Sequence, residues 1–301
     1  MSLSSPWSKI RPRGSLARAL HDKVLQDQYL RQIDKNEWYQ CDLGLVPDVD
    51  LRNKFLQLDP DQETIEFLEE SEKKSDWILT QVWHMLAKMF LGWFMTQTSI
   101  NGWLQRGSMF VVSRQQLFKL LKCPQDVVYE SLLDLGAGDG KVTERMSSIF
   151  RDVFVTEISP SMRNLLHSRG FHLLDIDKWY TLRKFDVISC LNVIDRCERP
   201  LDLLDQIKTA LKPGGVVLLA VVLPFSAYVE SGSSNHKPLQ ELLVSGETFE
   251  EQLHSFVEIV VKPANFEVVS WSRVPYLCEG DLQQSYYWLD DAIFVLKMKE
   301  S

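Results

Sequence analysis

From residue 131 onward the chain alternates short apolar runs with amphipathic stretches. The runs at 132–135, 153–156, 171–174, 185–190 and 216–223 are too short for helices, and segments at 141–150, 160–168 and 200–211 carry helical apolar spacing between them. That order predicts repeated strand-helix units. The strand runs are nearly continuous in Val, Ile and Leu, which suits a parallel sheet covered on both faces. Lys212-Pro-Gly-Gly215 predicts a turn into the run at 216–223. A helix at 249–262 and strands at 266–272 and 292–297 follow, giving seven strands with an antiparallel strand at the edge.

The first third has a different pattern. Residues 1–14 are polar and basic and predict a disordered tail. Segments 15–33 and 61–74 predict helices. The longest apolar stretch, 77–95, is interrupted by Gln81, His84 and Lys88, which share one helix face. An amphipathic helix packed on the main domain is expected there, not a membrane span, with peripheral membrane contact left open. No strand run and no repeat is evident before residue 110. The predicted organisation is a tail (1–14), a helical cap (15–112) and an α/β domain (113–301).

The strongest chemical signal lies where the first apolar run of the α/β domain breaks: Leu132-Leu-Asp-Leu-Gly-Ala-Gly-Asp-Gly140, that is Asp134-x-Gly136-x-Gly138-x-Gly140. Glycine at alternate positions lets a ligand lie against backbone at the carboxyl end of a parallel strand. A dinucleotide loop reads G-x-G-x-x-G and holds phosphate on helix N-terminal amides, but here Lys141 fills the sixth position, and Asp134 and Asp139 would repel phosphate. S-adenosylmethionine has no phosphate and carries an ammonium and a sulfonium, so acidic residues suit it. The loop resembles that of S-adenosylmethionine-dependent methyltransferases. Alone it reads equally well as a tight turn. Glu157, 23 positions beyond Asp134 and at the end of the next strand, supplies the carboxylate expected for two ribose hydroxyls.

Composition changes this picture little. The chain has 301 residues, 45% of them hydrophobic, enough for one large core with an extension. Its net charge of −8 argues against contact with nucleic acid and leaves a neutral or basic polypeptide as the better partner. Five cysteines with no C-x-x-C pair predict reduced thiols and no disulfide framework. No secretory signal is evident, and the basic start reads as a disordered tail rather than a transit peptide. Histidines 84, 167, 172 and 254 are scattered and predict no metal site.

The catalytic candidates follow the fourth strand, in Ser189-Cys-Leu-Asn192-Val-Ile-Asp195-Arg196-Cys197. In an open parallel sheet, ligands bind beyond the carboxyl ends of the strands, which places Asn192 and Asp195 near the donor methyl. A capping or Arg196-pairing role for Asp195 is the alternative. The Pro-Pro-aromatic sequence of adenine and glutamine methyltransferases is missing at this point of the sequence.

Longer words make the resemblance specific. Thr98-Ser-Ile-Asn-Gly102, Arg106-Gly-Ser-Met-Phe-Val111, the glycine loop, Asp186-Val-Ile-Ser-Cys-Leu-Asn192, Asp195-Arg-Cys197, Leu223-Pro-Phe225, Leu277-Cys-Glu-Gly-Asp281 and Asp290-Asp-Ala-Ile-Phe-Val295 resemble the DREV family, that of methyltransferase-like protein 9. Trp38-Tyr-x-Cys41 extends the likeness. The resemblance implies a Rossmann-like class I methyltransferase sheet and S-adenosylmethionine as donor, leaving S-adenosylhomocysteine. It also implies methylation of the pros nitrogen of histidine, giving 1-methylhistidine, in His-x-His sequences of polypeptides. Carried onto this chain, Asp134, Gly136, Gly138, Glu157 and Asn192 become cofactor residues, and Asp195 becomes the carboxylate that orients the histidine. Animal members tend to start with an apolar, signal-like stretch, which this sequence does not have; cytoplasmic, endomembrane and mitochondrial placement stay open.

Further candidates are less specific. Asp139, Arg106 and Ser108 are placed at the cofactor, the last two closing over its methionine end or forming a helix-capping turn. Tyr276, Tyr287 and Glu279 are placed at a peptide groove, or in an edge hairpin packed on the sheet. A monomer is expected. Two other function classes remain: a methyltransferase acting on a histidine dipeptide or another small amine, and an inactive cofactor-binding scaffold.

Overall fold

The computed structural model describes residues 14–75, 77, 107–229, 235–281 and 283–299. Among the described residues, eight strands form one sheet: β1 (Met109–Phe110), β2 (Tyr129–Leu135), β3 (Phe150–Thr156), β4 (His172–Leu173), β5 (Phe185–Leu191), β6 (Leu211–Val222), β7 (Phe266–Glu279) and β8 (Tyr286–Met298). Their order across the sheet is β1-β7-β8-β6-β5-β2-β3-β4. Strands β2 to β6 run parallel to their neighbours among themselves. From β2 the chain steps outward to β3 and β4, then returns to β5 on the other side. That reversal creates a crevice at the carboxyl ends of β2 and β5, where open α/β sheets bind ligands.

The class I methyltransferase architecture expected from the sequence is present, with two corrections. The sheet has an eighth strand, β1, which pairs antiparallel with β7. The antiparallel strand β8 is internal, between β6 and β7, and not at the edge. Inserting it there buries its apolar run on both faces: Ala292, Ile293, Phe294 and Leu296 are fully buried. The Lys212-to-Gly215 turn is absorbed into β6, with Gly214 at φ 76°.

The helices form where their sequences allow. Ser113 starts the helix Arg114–Leu121 with a reciprocal capping box to Gln116, and Thr248 does the same for Phe249–Phe256 with Glu251. Pro160 and Pro200 open Pro160–Ser168 and Pro200–Ala210 from the first turn, where the missing N–H costs nothing.

The N-terminal helices Ser15–Gln32 and Gln62–Ser75 cover one sheet face. Leu30, Trp38, Tyr39, Leu58 and Phe67 enter the same buried cluster as Leu132, Leu218, Val274 and Ile293. Burying a side chain of this size contributes about 1.5–3 kcal/mol, so the cap shares the core of the sheet. A strand-like bridge between Phe55 and Trp271 ties it further, with Trp271 Nε1 donating to Leu51 O at 2.7 Å. Apart from Trp77, the apolar stretch 77–95 lies outside the described residues, as do the 98–102 word and Arg106. Among the described residues, no helix is long and apolar enough to cross a membrane.

Candidate functional site

The glycine loop follows β2 directly. Gly136 and Gly138 have φ of 67° and 57°, the left-handed region that side chains disfavour. A Cβ on Gly136 would meet Val193 Cγ2 at 2.8 Å, whereas one on Gly138 would meet nothing within 4 Å. Gly136 is therefore needed to pack against the segment after β5, and Gly138 leaves open space where a ligand backbone can pass.

Carboxylates fix this loop from several sides. Asp134 is buried and accepts hydrogen bonds from Thr143 Oγ1 and Ser189 Oγ, both at 2.6 Å. Burial pushes its pKa up to about 6 against the two hydroxyl bonds. Its oxygens thus tie β2 to β5 and to the helix Lys141–Ser147. Glu157, just past β3, accepts from Gly138 N at 2.9 Å and from Ser159 N at 2.8 Å. An ionised carboxylate has about four acceptor positions, which leaves Glu157 capacity for two hydroxyl donors.

Asp139 accepts from Lys141 N at 3.0 Å through Oδ1 and from Ser108 Oγ at 3.0 Å through Oδ2. Ser108 in turn donates its N–H to Glu279 Oε2 at 3.2 Å. Lys74 of the cap donates to Glu279 Oε1. Burial pushes the Glu279 carboxyl up, but the Lys74 hydrogen bond and the Lys141 charge outweigh it and hold the pKa below the ordinary value. The Lys74, Glu279, Ser108 and Asp139 contacts form a latch between cap, sheet and cofactor loop. Glu279 and Ser108, expected at substrate and cofactor respectively, meet each other in it.

The second half of the site is at the end of β5. Asn192 adopts φ 56° and donates its N–H to Ala220 O at 3.0 Å. Its Nδ2 donates to Asp291 Oδ2 at 2.8 Å. Asp195 is 6% exposed, and Arg196 stands 3.7 Å from its Oδ2. Burial raises the Asp195 pKa, with Arg196 opposing. Among the described residues, Asn192 Oδ1, Asp195 Oδ1 and Asp291 Oδ1 are buried without a hydrogen-bond partner. Buried oxygens in that state are costly unless a donor reaches them.

A cavity of about 480 Å³ opens beside Asp195, lined also by Arg196, Pro224, Ser226, Trp288 and Asp290. Tyr276 is buried and donates to Met109 Sδ; burial pushes its phenol well above its ordinary range, with smaller effects from the charges of Arg196, Asp291 and Asp195. Tyr287 sits two register positions nearer the turn of the β7-β8 hairpin, where it donates to Asp281 Oδ1 at 3.0 Å. Asn192 is thus bonded to Asp291, whose charge reaches Tyr276 together with that of Asp195, whereas Tyr287 and Glu279 bond to Asp281 and Lys74 nearer the hairpin turn.

Sequence reasoning gave no role to Asp291 or Trp288. A signal for Asp291 existed, because an acid directly before the apolar run Ala292-Ile-Phe-Val-Leu296 occupies a core position of a strand.

Together the parts can take a ligand with two vicinal hydroxyls at Glu157, a chain crossing Gly138 and a cation at the unpartnered Asn192 oxygen. Those are the ribose, the linking chain and the charged end of S-adenosylmethionine, so the residues fit that group.

Comparison with known proteins agrees with this picture. A family model described as DREV methyltransferase matches residues 38–298. Among curated proteins, the malonyl-[acyl-carrier protein] O-methyltransferase of Haemophilus ducreyi is 26% identical over 125 residues, 37% of this chain and 48% of that protein. The match spans about half the length of that relative. Solved structures that resemble the chain include the N-methyltransferase NodS of Bradyrhizobium japonicum with S-adenosylhomocysteine (14% identity, 62% of this chain and 86% of that one, TM-score 0.41). The DhpI complex with the same product is 13% identical, over 78% of this chain and 98% of that one, with a TM-score of 0.42.

Proposed function

The chain belongs to the DREV methyltransferase family, and from that premise we propose that it moves the methyl group of S-adenosylmethionine to the pros nitrogen of histidine in His-x-His sequences of polypeptides. The observation that carries the acceptor assignment is Asp195: a nearly buried carboxylate with one unpartnered oxygen, at the mouth of an open cavity and past the strand that ends at the cofactor crevice.

S-adenosylmethionine supplies an electrophilic methyl on a sulfonium. An imidazole with a pKa near 6.5 is mostly neutral at pH 7, so it needs orientation more than a strong base. Asp195 accepts the tele N–H and so selects the tautomer whose pros lone pair faces the methyl. As the imidazole becomes a cation, the same carboxylate stabilises the charge, and the low exposure of the site strengthens that attraction. Arg196, half exposed beside Asp195, opposes the rise in its pKa that burial causes. Trp288 and Pro224 give the cavity an apolar wall for the imidazole faces, and Asp290 gives its rim an acid that suits a neutral or basic peptide.

The test is methyl transfer from labelled S-adenosylmethionine to a peptide containing Ala-His-Ala-His, with alanine-for-histidine peptides and Glu157→Ala as controls, followed by separation of the methylhistidine isomers. Pros-methylhistidine that disappears in both controls supports the proposal. Transfer to another acceptor, or to the tele nitrogen, overturns it.

A further inference from the structure

Asp291 is a carboxyl inside an apolar strand. On β8 it is fully buried and precedes Ala292, Ile293 and Phe294, also fully buried. In register it stands between Val222 of β6 and Val274 of β7. An acid held there is tolerated only if it meets donors. Among the described residues, Nδ2 of Asn192 donates to its Oδ2 and a backbone hydrogen bond at Val221 assists, while Oδ1 has no partner.

The contact has a consequence for Asn192. A carboxamide has one donating and one accepting end, and a half-turn about its last bond exchanges them. With Nδ2 bound to Asp291 Oδ2, the amide oxygen is turned away from Asp291, and it has no protein partner. The rest of Asn192 is equally constrained: its N–H is on Ala220 O, and the next residue, Val193, packs where a Gly136 Cβ would be. Asn192 therefore abuts the glycine loop with a fixed backbone and a side chain whose face is chosen by Asp291.

We propose that Asp291 is a positioning residue of the cofactor site: by binding Asn192 Nδ2 it holds the Asn192 oxygen where it accepts an N–H of the cofactor's α-ammonium group. The opposite amide face would put an NH₂ against a cation. This inference rests on S-adenosylmethionine as the cofactor and is independent of the histidine acceptor.

The test measures the Kd for S-adenosylhomocysteine, which keeps the ammonium and needs no acceptor, by calorimetry. Asp291→Leu, similar in volume but without an acceptor, is expected to weaken binding roughly 10- to 100-fold, as for a lost hydrogen bond to a charged group. Asp291→Asn keeps an oxygen for Asn192 Nδ2 and is expected to recover most of that loss. In an Asn192→Ala background, Asp291→Leu should change Kd less than about 3-fold, because its target has gone. Equal losses in both backgrounds overturn the proposal, since a merely structural role or a direct contact would be additive. Wild-type affinity in Asp291→Leu also overturns it. If Asp291→Leu does not fold, judged by its melting, Asp291→Ala carries the same comparison. Absence of binding by the wild-type protein would remove the cofactor premise itself, whereas binding without histidine methylation would overturn only the acceptor reading.

Discussion

Gly138 and Glu157 are joined by one hydrogen bond, the loop amide donating to Oε2 at 2.9 Å, so the carboxylate expected at the ribose also sets the shape of the loop that crosses it. Two functions then depend on one side chain. Glu157→Ala is expected to weaken S-adenosylhomocysteine binding by at least about 100-fold, because it removes a charged acceptor and frees the loop together. Glu157→Gln keeps an acceptor and should fall between. Calorimetry reads this directly, and equal affinities for wild type and Glu157→Ala would refute the assignment.

The loop glycines separate packing from binding. At Gly138 a methyl group meets open space, and the left-handed backbone costs about 1–2 kcal/mol. Gly138→Ala should therefore melt slightly below wild type while losing at least about 10-fold in cofactor affinity. Gly136→Ala adds a clash with Val193 Cγ2 and should lose more stability. Val193→Ala is expected to restore part of that loss in the double variant. Paired melting and binding curves check both halves, and a double variant no more stable than Gly136→Ala would refute the clash.

The latch from the cap has its own pH signature. Glu279 holds a lowered pKa against Lys74 and Lys141, so its contribution to stability is complete above the ordinary carboxylate value and is lost as pH falls through the folded one. Lys74 is partly exposed, which screens the pair, and Glu279→Gln is expected to cost about 1–3 kcal/mol at pH 7 and less at pH 3. Denaturant unfolding at the two pH values measures this. An equal cost at both would show that the charge is irrelevant.

What the sequence could convey depended on how local each feature is. The glycine loop and Glu157 were legible because the chemistry needs glycine and an acid at fixed places relative to a strand end. The strand-helix alternation was legible because the runs at 132–135 and 185–190 are buried on both faces. The position of β8 was not, since strand order is decided by pairing between β8 and both β6 and β7, which are distant in sequence. Strand β1 has two residues and no period to detect. Asp291 was not legible because it lies within a strand, where an acid belongs to no loop motif. Glu279 and Tyr287 belong to aromatic and acidic words that suggest a groove, but the hairpin directs Glu279 to Lys74 and Tyr287 to Asp281.

Asp291 also gives the protein an unusual dependence on pH. Burial raises its pKa from 3.8 to about 8, with the Asn192 hydrogen bond opposing and the Asp195 charge adding to the rise. The folded chain therefore holds a proton that the unfolded chain releases. Stability from this group is complete below about pH 4 and declines as pH rises through 8. Asp291→Asn cannot ionise, so the difference in melting temperature between variant and wild type should move in favour of the variant from pH 5 to pH 8.5. Parallel melting curves across that range would contradict the raised pKa.

In the proposed reaction Asp195 orients the acceptor. Its oxygen Oδ1 has no protein partner while Oδ2 faces Arg196, so the carboxylate has one free position for an incoming N–H. Asp195→Ala removes both the tautomer selection and the negative charge, and a loss of roughly 10²- to 10⁴-fold in kcat is expected, the usual range for a positioned proton-handling group. Asp195→Asn separates the two effects. It keeps an oxygen that accepts the tele N–H but offers no charge to the imidazolium, so its kcat should lie between wild type and Asp195→Ala. S-adenosylhomocysteine affinity should change little in either variant, because the contacts at Gly138 and Glu157 are untouched. If Asp195→Ala turned over the histidine peptide at a near-normal rate, Asp195 would have no part in orienting the acceptor. If instead its cofactor affinity collapsed with kcat, the carboxylate would belong to the cofactor and not to the histidine.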